Sequence, residues 1–271
     1  MAIGKAVNNK AGGGYQCNFS SLFREFHITY IFYIFINKKA NKKLLLINKN
    51  IKFYLIMYID THCHLFSPYF DQKTTKEAIQ KAKNNNVTHL IIPSVRLEDW
   101  DEIKILIENN LNIYGAIGLH PSNAIDDINK LNEYINKIDF KNVVAIGEIG
   151  LDFYRQTNPT YAIQKLTFEF FLDICIKKNL PAIIHMRQAE QEVYDILKKD
   201  KYKTLKFVLH SFTSSLEWAN KFLSLGGYIS FNGIVTFKNA KDIQNLAKNI
   251  ETNKILIETD APFLTPMPHR G

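Results

Sequence analysis

The chain has 271 residues, 46% of them apolar, and a formal charge of +8, which bounds it to one large α/β domain or two small ones with a sizeable core. Three cysteines, Cys17, Cys63 and Cys175, are odd in number and form no CxxC pair, which argues against a disulfide framework and makes a reducing, cytoplasmic compartment the default. The charge excludes less than its total suggests. Residues 1–56 hold nine Lys/Arg and one acidic residue, Glu25, so residues 57–271 hold 25 of each sign, and any phosphate-binding surface there must be a local patch.

Residues 1–56 read as a low-complexity basic leader rich in Asn, Lys and Ile. It is either a targeting segment, with secretion or organelle import as the consequence, or upstream sequence translated from a wrong start, with Met57 as the original one. The apolar stretch "ITYIFYIFI" at 28–36 is shorter than the roughly 20 residues of a spanning helix. No stable membrane insertion is expected.

From Met57 onward, short apolar runs alternate with amphipathic ones. The runs at 58–64, 87–93, 112–121, 143–150, 180–187, 206–212, 226–233 and 254–262 are β-branched and continuously apolar, as in parallel strands buried on both faces. Seven connectors have helical spacing, around 74–86, 98–110, 125–138, 160–179, 188–200, 214–225 and 238–251. In the fourth, Ile163, Leu166, Phe170 and Ile174 mark the expected buried face. Strict alternation predicts a (β/α)8 TIM barrel over 57–271, with its site at the C-terminal strand ends. Only "FLTPMPHRG" follows the eighth strand. The expectation is a barrel lacking its eighth helix, truncated or closed some other way, with apolar surface exposed on the first and last strands.

Polar residues at those strand ends form a set. His62 and His64 stand two apart on strand 1 and so share a face; strand 4 supplies Glu148, strand 5 His185, strand 6 His210 and strand 8 Asp260. Strand 3 adds His120. Imidazole and carboxylate ligands suit Zn2+ or Mn2+, and carboxylate-rich sites also suit Mg2+. Six such groups exceed what one catalytic ion needs, so two divalent ions are expected, with Glu148 bridging them. The chemistry this favours is hydrolysis by water that a divalent ion activates, with Asp260 as general base. Arg155 and Arg187 follow strands 4 and 5; they clamp phosphate oxygens or else pair with Asp152 or Glu190. Phe153, Tyr154 and Phe212 in these loops either stack on bases or pack. Cys63 reads as a packing residue and His89 as a hydrogen-bonded core residue, while Glu258 either points away from Asp260's partners or supports them.

The motifs "IDTHCHL", "GLHP", "AIGEIGLDFYR", "LPAIIHMRQA", "LHSF", "GGYISFNGIVTFKNA" and "ETDAPFLTP" resemble, in order and spacing, those of the TatD-related deoxyribonuclease family of metal-dependent hydrolases. The resemblance covers 57–271. It implies hydrolysis of DNA phosphodiesters dependent on magnesium or another divalent ion, commonly as a 3′ to 5′ exonuclease on single strands, with endonuclease action also attributed to members. It carries metal ligation onto His62, His64, Glu148, His185, His210 and Asp260; the candidates for binding substrate remain His120, Arg155 and Arg187 by their placement. The family's loop and helix after "ETDAPFLTPMPHRG" have no counterpart here, nor does the family have one for 1–56. The competing readings are a related barrel amidohydrolase or deaminase, whose relatives often bridge two metals with a carboxylated lysine that strand 4 lacks, and an inactive fragment.

Overall fold

The computed structural model describes residues 57–155 and 157–270; the expected leader lies outside them. Eight parallel strands form one sheet in sequential order: β1 (Tyr58–Asp60), β2 (Val87–Pro93), β3 (Ile113–Ile117), β4 (Val143–Asp152), β5 (Ala182–Arg187), β6 (Phe207–Leu209), β7 (Tyr228–Phe231) and β8 (Ile255–Ile257). Seven helices alternate with them: α1 (Gln72–Asn84), α2 (Asp99–Asn109), α3 (Ile128–Asn136), α4 (Tyr161–Lys178), α5 (Glu190–Leu197), α6 (Leu216–Ser224) and α7 (Lys241–Asn249). This is the TIM barrel. Among the described residues β8 is followed by turns and no helix. The expected exposure beside it is partial: Ile255 is buried and Ile257 half-buried.

The strands are shorter than the apolar runs at both ends of the sheet, and the physical reason lies in how the barrel closes. β1 and β8 share no extended ladder. Past their ends, Thr61 N donates to Ile257 O at 3.3 Å, Asp260 N to His62 O at 2.9 Å and His64 N to Ala261 O at 2.7 Å, and Cys63 bridges Ala261. The residues expected to be strand are therefore the seam of the ring. Cys63 is buried there, as its packing role requires.

Two cores hold the architecture. Ile91, Ala116, Val144, Ala145, Ile183, Val208 and Leu256 form one cluster, drawn from six strands, which plugs the barrel interior. A second, larger cluster lies between sheet and helices and includes Ile103, Leu131, Phe168, Phe171 and Phe222. Helix starts follow local chemistry: Asp71 and Thr74 exchange a capping box at α1, and the Asp127 and Ser215 side chains accept from Lys130 N and Trp218 N at α3 and α6. The buried face of α4 corrects the periodicity reading. Gln164, Thr167, Phe168, Phe171, Leu172 and Cys175 are buried, whereas Leu166 is exposed and Ile163, Phe170 and Ile174 are half-buried. Two polar residues occupy that face because loop backbone needs them. Gln164 Oε1 accepts from Asp152 N at 2.8 Å, and the Thr167 hydroxyl donates to Ile125 O at 2.7 Å.

Candidate active site

The apolar plug leaves the C-terminal mouth of the barrel as a cavity of about 780 Å3, lined by residues from nearly every strand-end loop. Glu148 reaches its centre from within β4 rather than from the strand end. The register between β4 and β5 shifts between Ile146 and Ile149, an irregularity of the kind that re-aims a side chain. Glycine permits it. Gly150 has φ +147°, and a Cβ there would collide with the His185 carbonyl oxygen, so only glycine lets the two strands approach this closely.

The two oxygens of Glu148 face different partners. Oε2 lies 3.4 Å from His62 Nε2 and 3.8 Å from His64 Nε2. Those two nitrogens are 3.0 Å apart, and Asp260 Oδ1 is 3.6 and 3.4 Å from them. Oε1 lies 2.9 Å from both His185 Nδ1 and His210 Nε2, which are 3.3 Å from each other. Ligand atoms arranged around one cation at about 2.0–2.2 Å stand roughly 3–3.5 Å apart. Most of these separations are near that spacing, with 3.6 and 3.8 Å the widest, and three overlapping groupings could hold an ion: His62, His64 and Asp260; His62, Glu148 and His210; and His120, Glu148 and His185.

The charge balance fits the same reading. Glu148, Asp152, Glu258 and Asp260 face the cluster, and among the described residues none is paired with Lys or Arg. Buried carboxylates without a cation are costly, and here only imidazoles compensate them. Burial pushes the Glu148 carboxyl up, but the surrounding histidines, His210 first, outweigh it and hold the group well below its usual range. His210 and His185 move the other way: burial disfavours their charge, while the carboxylates beside them hold both above the ordinary imidazole value. His62 is lowered, by burial and by the neighbouring His210. The histidine protons thus occupy positions where a divalent ion would take over the compensation, releasing them.

Outer partners orient the inner ones. Asp152 Oδ2 lies 3.0 Å from His185 Nε2, so that nitrogen donates to Asp152 and the ring is fixed with Nδ1 toward Glu148. Glu258 Oε1 stands 3.3 Å from His210 Nδ1, within ion-pair distance but without hydrogen-bond alignment. It is itself held by Ser211 N at 2.7 Å and Asn232 Nδ2 at 3.2 Å. Asp60 clamps the seam: Oδ1 accepts from His62 N at 3.2 Å and Thr259 N at 2.9 Å, and Oδ2 from the Thr259 hydroxyl at 2.6 Å. Asp260 follows in the left-handed region at φ 57°, a conformation costing about 1–2 kcal/mol for a residue with a Cβ. The clamp and the turn together aim its carboxylate inward.

His120 sits at the edge of the second group, its Nε2 3.7 Å from Glu148 Oε1. Its Nδ1 accepts from Ser122 N at 3.1 Å, so the ring proton is on Nε2 and faces the mouth. Burial, then the charge of His185, lower this imidazole to about 3. It is a neutral donor there, and it also stands with Glu148 and His185 in a grouping that could hold an ion.

The structure thus brings together His62, His64, Glu148, His185, His210 and Asp260, with His120 beside them. Arg155 and Arg187 are exposed at the rim, and among the described residues neither is in an ion pair. Asp152, expected as a partner for them, takes His185 instead, because it lies one strand from that ring at the end of β4. Arg187 lies over the Tyr154 ring, 3.6 Å from its centroid. Phe212 is buried in the core, which removes it from any stacking role, and Phe153 packs on Tyr161. Asp60 and Asp152 carried a signal that sequence reasoning passed over: each is an acid two to four residues from a ligand in a strand-end motif.

The family model described as TatD related DNase matches residues 59–271. The chain belongs to the TatD-related DNase family. The metal-dependent hydrolase YabD of Bacillus subtilis is 38% identical to it over 216 residues, covering 79% of this chain and 84% of that one. The metal-dependent hydrolase YcfH of Escherichia coli K12 is 35% identical over 217 residues, covering 79% and 80%. Among solved structures, the TatD homologue YjjV from Escherichia coli K12 superposes with a TM-score of 0.71 at 30% identity, covering 79% of this chain and 83% of that one. The TatD-family chain is accordingly a metal-dependent hydrolase. Among the described residues no helix is long and apolar enough to cross a membrane.

Proposed function

We propose that this chain is a deoxyribonuclease that hydrolyses DNA phosphodiesters with two divalent ions, Mg2+ foremost, acting from the 3′ end of single strands. The observation that carries the reading is the division of Glu148 between two ligand groups, which suits a two-ion clamp on a phosphoryl centre. His62, His64 and Asp260 with Glu148 Oε2 would hold one ion, and His185 and His210 with Glu148 Oε1 the other. Bound there, divalent ions would supply positive charge to the phosphoryl oxygens and bring the ionisation of water toward neutral pH.

The chain's own residues do the rest. Asp260 is the general base. Burial raises its carboxyl, but the His64 hydrogen bond and the charge on His62 outweigh this and lower it, so it is ionised and able to take a proton from water at neutral pH. His120 Nε2–H donates to a phosphoryl oxygen or to the leaving oxygen. Arg187, its face covered by Tyr154, offers its edge to a neighbouring phosphate, and Arg155 adds a second cation on that rim. Among the described residues no lysine lines the mouth, which leaves the barrel amidohydrolases' carboxylated-lysine bridge without a residue there.

The test is cleavage of a single-stranded oligonucleotide labelled at its 3′ end, with Mg2+ and with EDTA, using Glu148→Gln as control. Labelled mononucleotide released only with the ion supports the proposal. Absence of any EDTA-sensitive product would overturn it, and internal fragments would replace the exonuclease by an endonuclease.

A further inference from the structure

The mouth of the barrel has two unlike rims, and strand order sets them opposite each other. β8 and β1 are neighbours across the seam, while β4 and β5 lie halfway round the ring of eight. The loop after β4 carries Tyr154 and Arg155, and Arg187 ends β5 beside it. The loops after β1 and β8 carry Tyr69 and Phe263, with no cationic residue of theirs lining the cavity. One rim is therefore cationic and the other aromatic, with the ligand groups between.

The aromatic rim is tied to those groups. Tyr69 and Phe263 meet edge to face, with ring centroids 5.2 Å apart, and the His64 ring is 5.8 Å from Tyr69 and 6.2 Å from Phe263. Phe263 N donates to Asp260 O at 2.8 Å, and Tyr69 N to Phe66 O at 3.0 Å. Both backbones are thus fixed within a few residues of a ligand. Yet the rings stay open: Tyr69 is 36% and Phe263 45% exposed. Large apolar rings of a barrel loop that are anchored by backbone bonds and left facing a polar cavity are placed for a flat, π-faced ligand.

We infer that Tyr69 and Phe263 form a nucleobase-stacking subsite beside His64 and Asp260, opposite the arginine rim that takes the neighbouring phosphate. The inference rests on the nuclease reading above and adds to it a direction. The strand lies across the mouth with one base against the β1/β8 loops and its continuing backbone toward β4/β5. Stacking is indifferent to which base is presented, so the subsite selects for a base and against an abasic sugar, with little sequence preference. It also requires an unpaired base, since the faces of a base inside a duplex are already covered by its neighbours.

The experiment compares Kd, by fluorescence anisotropy in Mg2+, for single-stranded oligonucleotides with phosphorothioate terminal linkages. In one series a tetrahydrofuran abasic residue replaces each of the three terminal nucleosides in turn, at either end. The wild-type chain is expected to bind the fully based strand about tenfold or more tightly than the strand abasic at one particular position. That preference is expected to collapse in Tyr69→Leu/Phe263→Leu and to persist in Tyr69→Phe/Phe263→Tyr, with melting curves showing that each variant folds. A leucine pair that keeps the wild-type preference, or a wild type with no preference at any position, would overturn the subsite while leaving the nuclease reading standing. A wild type that neither binds these strands nor cleaves their all-phosphate counterparts would overturn both.

Discussion

The two ligand groups that share Glu148 are built differently. In the second, each histidine has a carboxylate behind it: Asp152 behind His185 and Glu258 behind His210. In the first, the outer nitrogens of His62 and His64 are buried without a hydrogen-bond partner, and order comes from the backbone, through the Asp60 clamp and the seam bonds of Asp260 and His64. In the second group Asp152 holds His185 by a hydrogen bond, while Glu258 reaches His210 Nδ1 at ion-pair distance only. The first is positioned by where the chain closes the barrel, which brings the two Nε2 atoms to 3.0 Å from each other. The comparison teaches that one mouth can order two groups of candidate ligands by different devices, and that they should respond differently to mutation.

The largest expected effect breaks both sites at once. Glu148→Gln removes the shared charge, and hydrolysis should fall by at least about 100-fold while bound metal, measured by elemental analysis, drops below two per chain. Unchanged stoichiometry would show that Glu148 does not bridge. Next, Asp260→Asn should reduce kcat by about 10²–10⁴-fold, with the second ion retained; retention of most activity would remove Asp260 from the base role. Asp152→Asn and Glu258→Gln should each weaken one ion by about 10–100-fold, read by calorimetric titration with Mn2+. Only the second group has such supports, so equal weakening of both ions would dissolve the distinction drawn above. The smallest effect is at the clamp: Thr259→Val removes one hydrogen bond and should cost about 1 kcal/mol of stability in thermal melts. It should weaken the first ion less than Asp152→Asn weakens the second. Separately from the ions, Arg187→Ala should lower the slope of log affinity against log salt by about 0.7 for single-stranded DNA.

Much of the architecture was legible in residue order. The eight apolar runs lie on the eight strands and the seven amphipathic connectors on the seven helices, because burial on both faces leaves a continuous apolar signature that a helix covered on one face does not. The limits were less legible. The run 254–262 yields only Ile255–Ile257 as strand, since apolar composition does not distinguish a ladder from a seam. In α4, periodicity chose the stripe through Leu166 and missed Gln164 and Thr167, whose burial depends on bonds to residues 12 and 42 positions away. Asp152 was taken for a partner of the arginines, because nothing local shows that the end of β4 lies beside His185.

The sequence by itself determined the barrel, the strand each candidate ligand belongs to and the identity of the chemical groups, because side-chain period and composition are local properties of the chain. Only the tertiary structure decided which oxygen of Glu148 meets which histidines, which carboxylates stand behind them, and that an aromatic rim faces a cationic one. Those are relations between segments up to about two hundred residues apart, such as Asp60 with Thr259. They come into being only when the ring closes and a register shift turns one strand residue into the mouth.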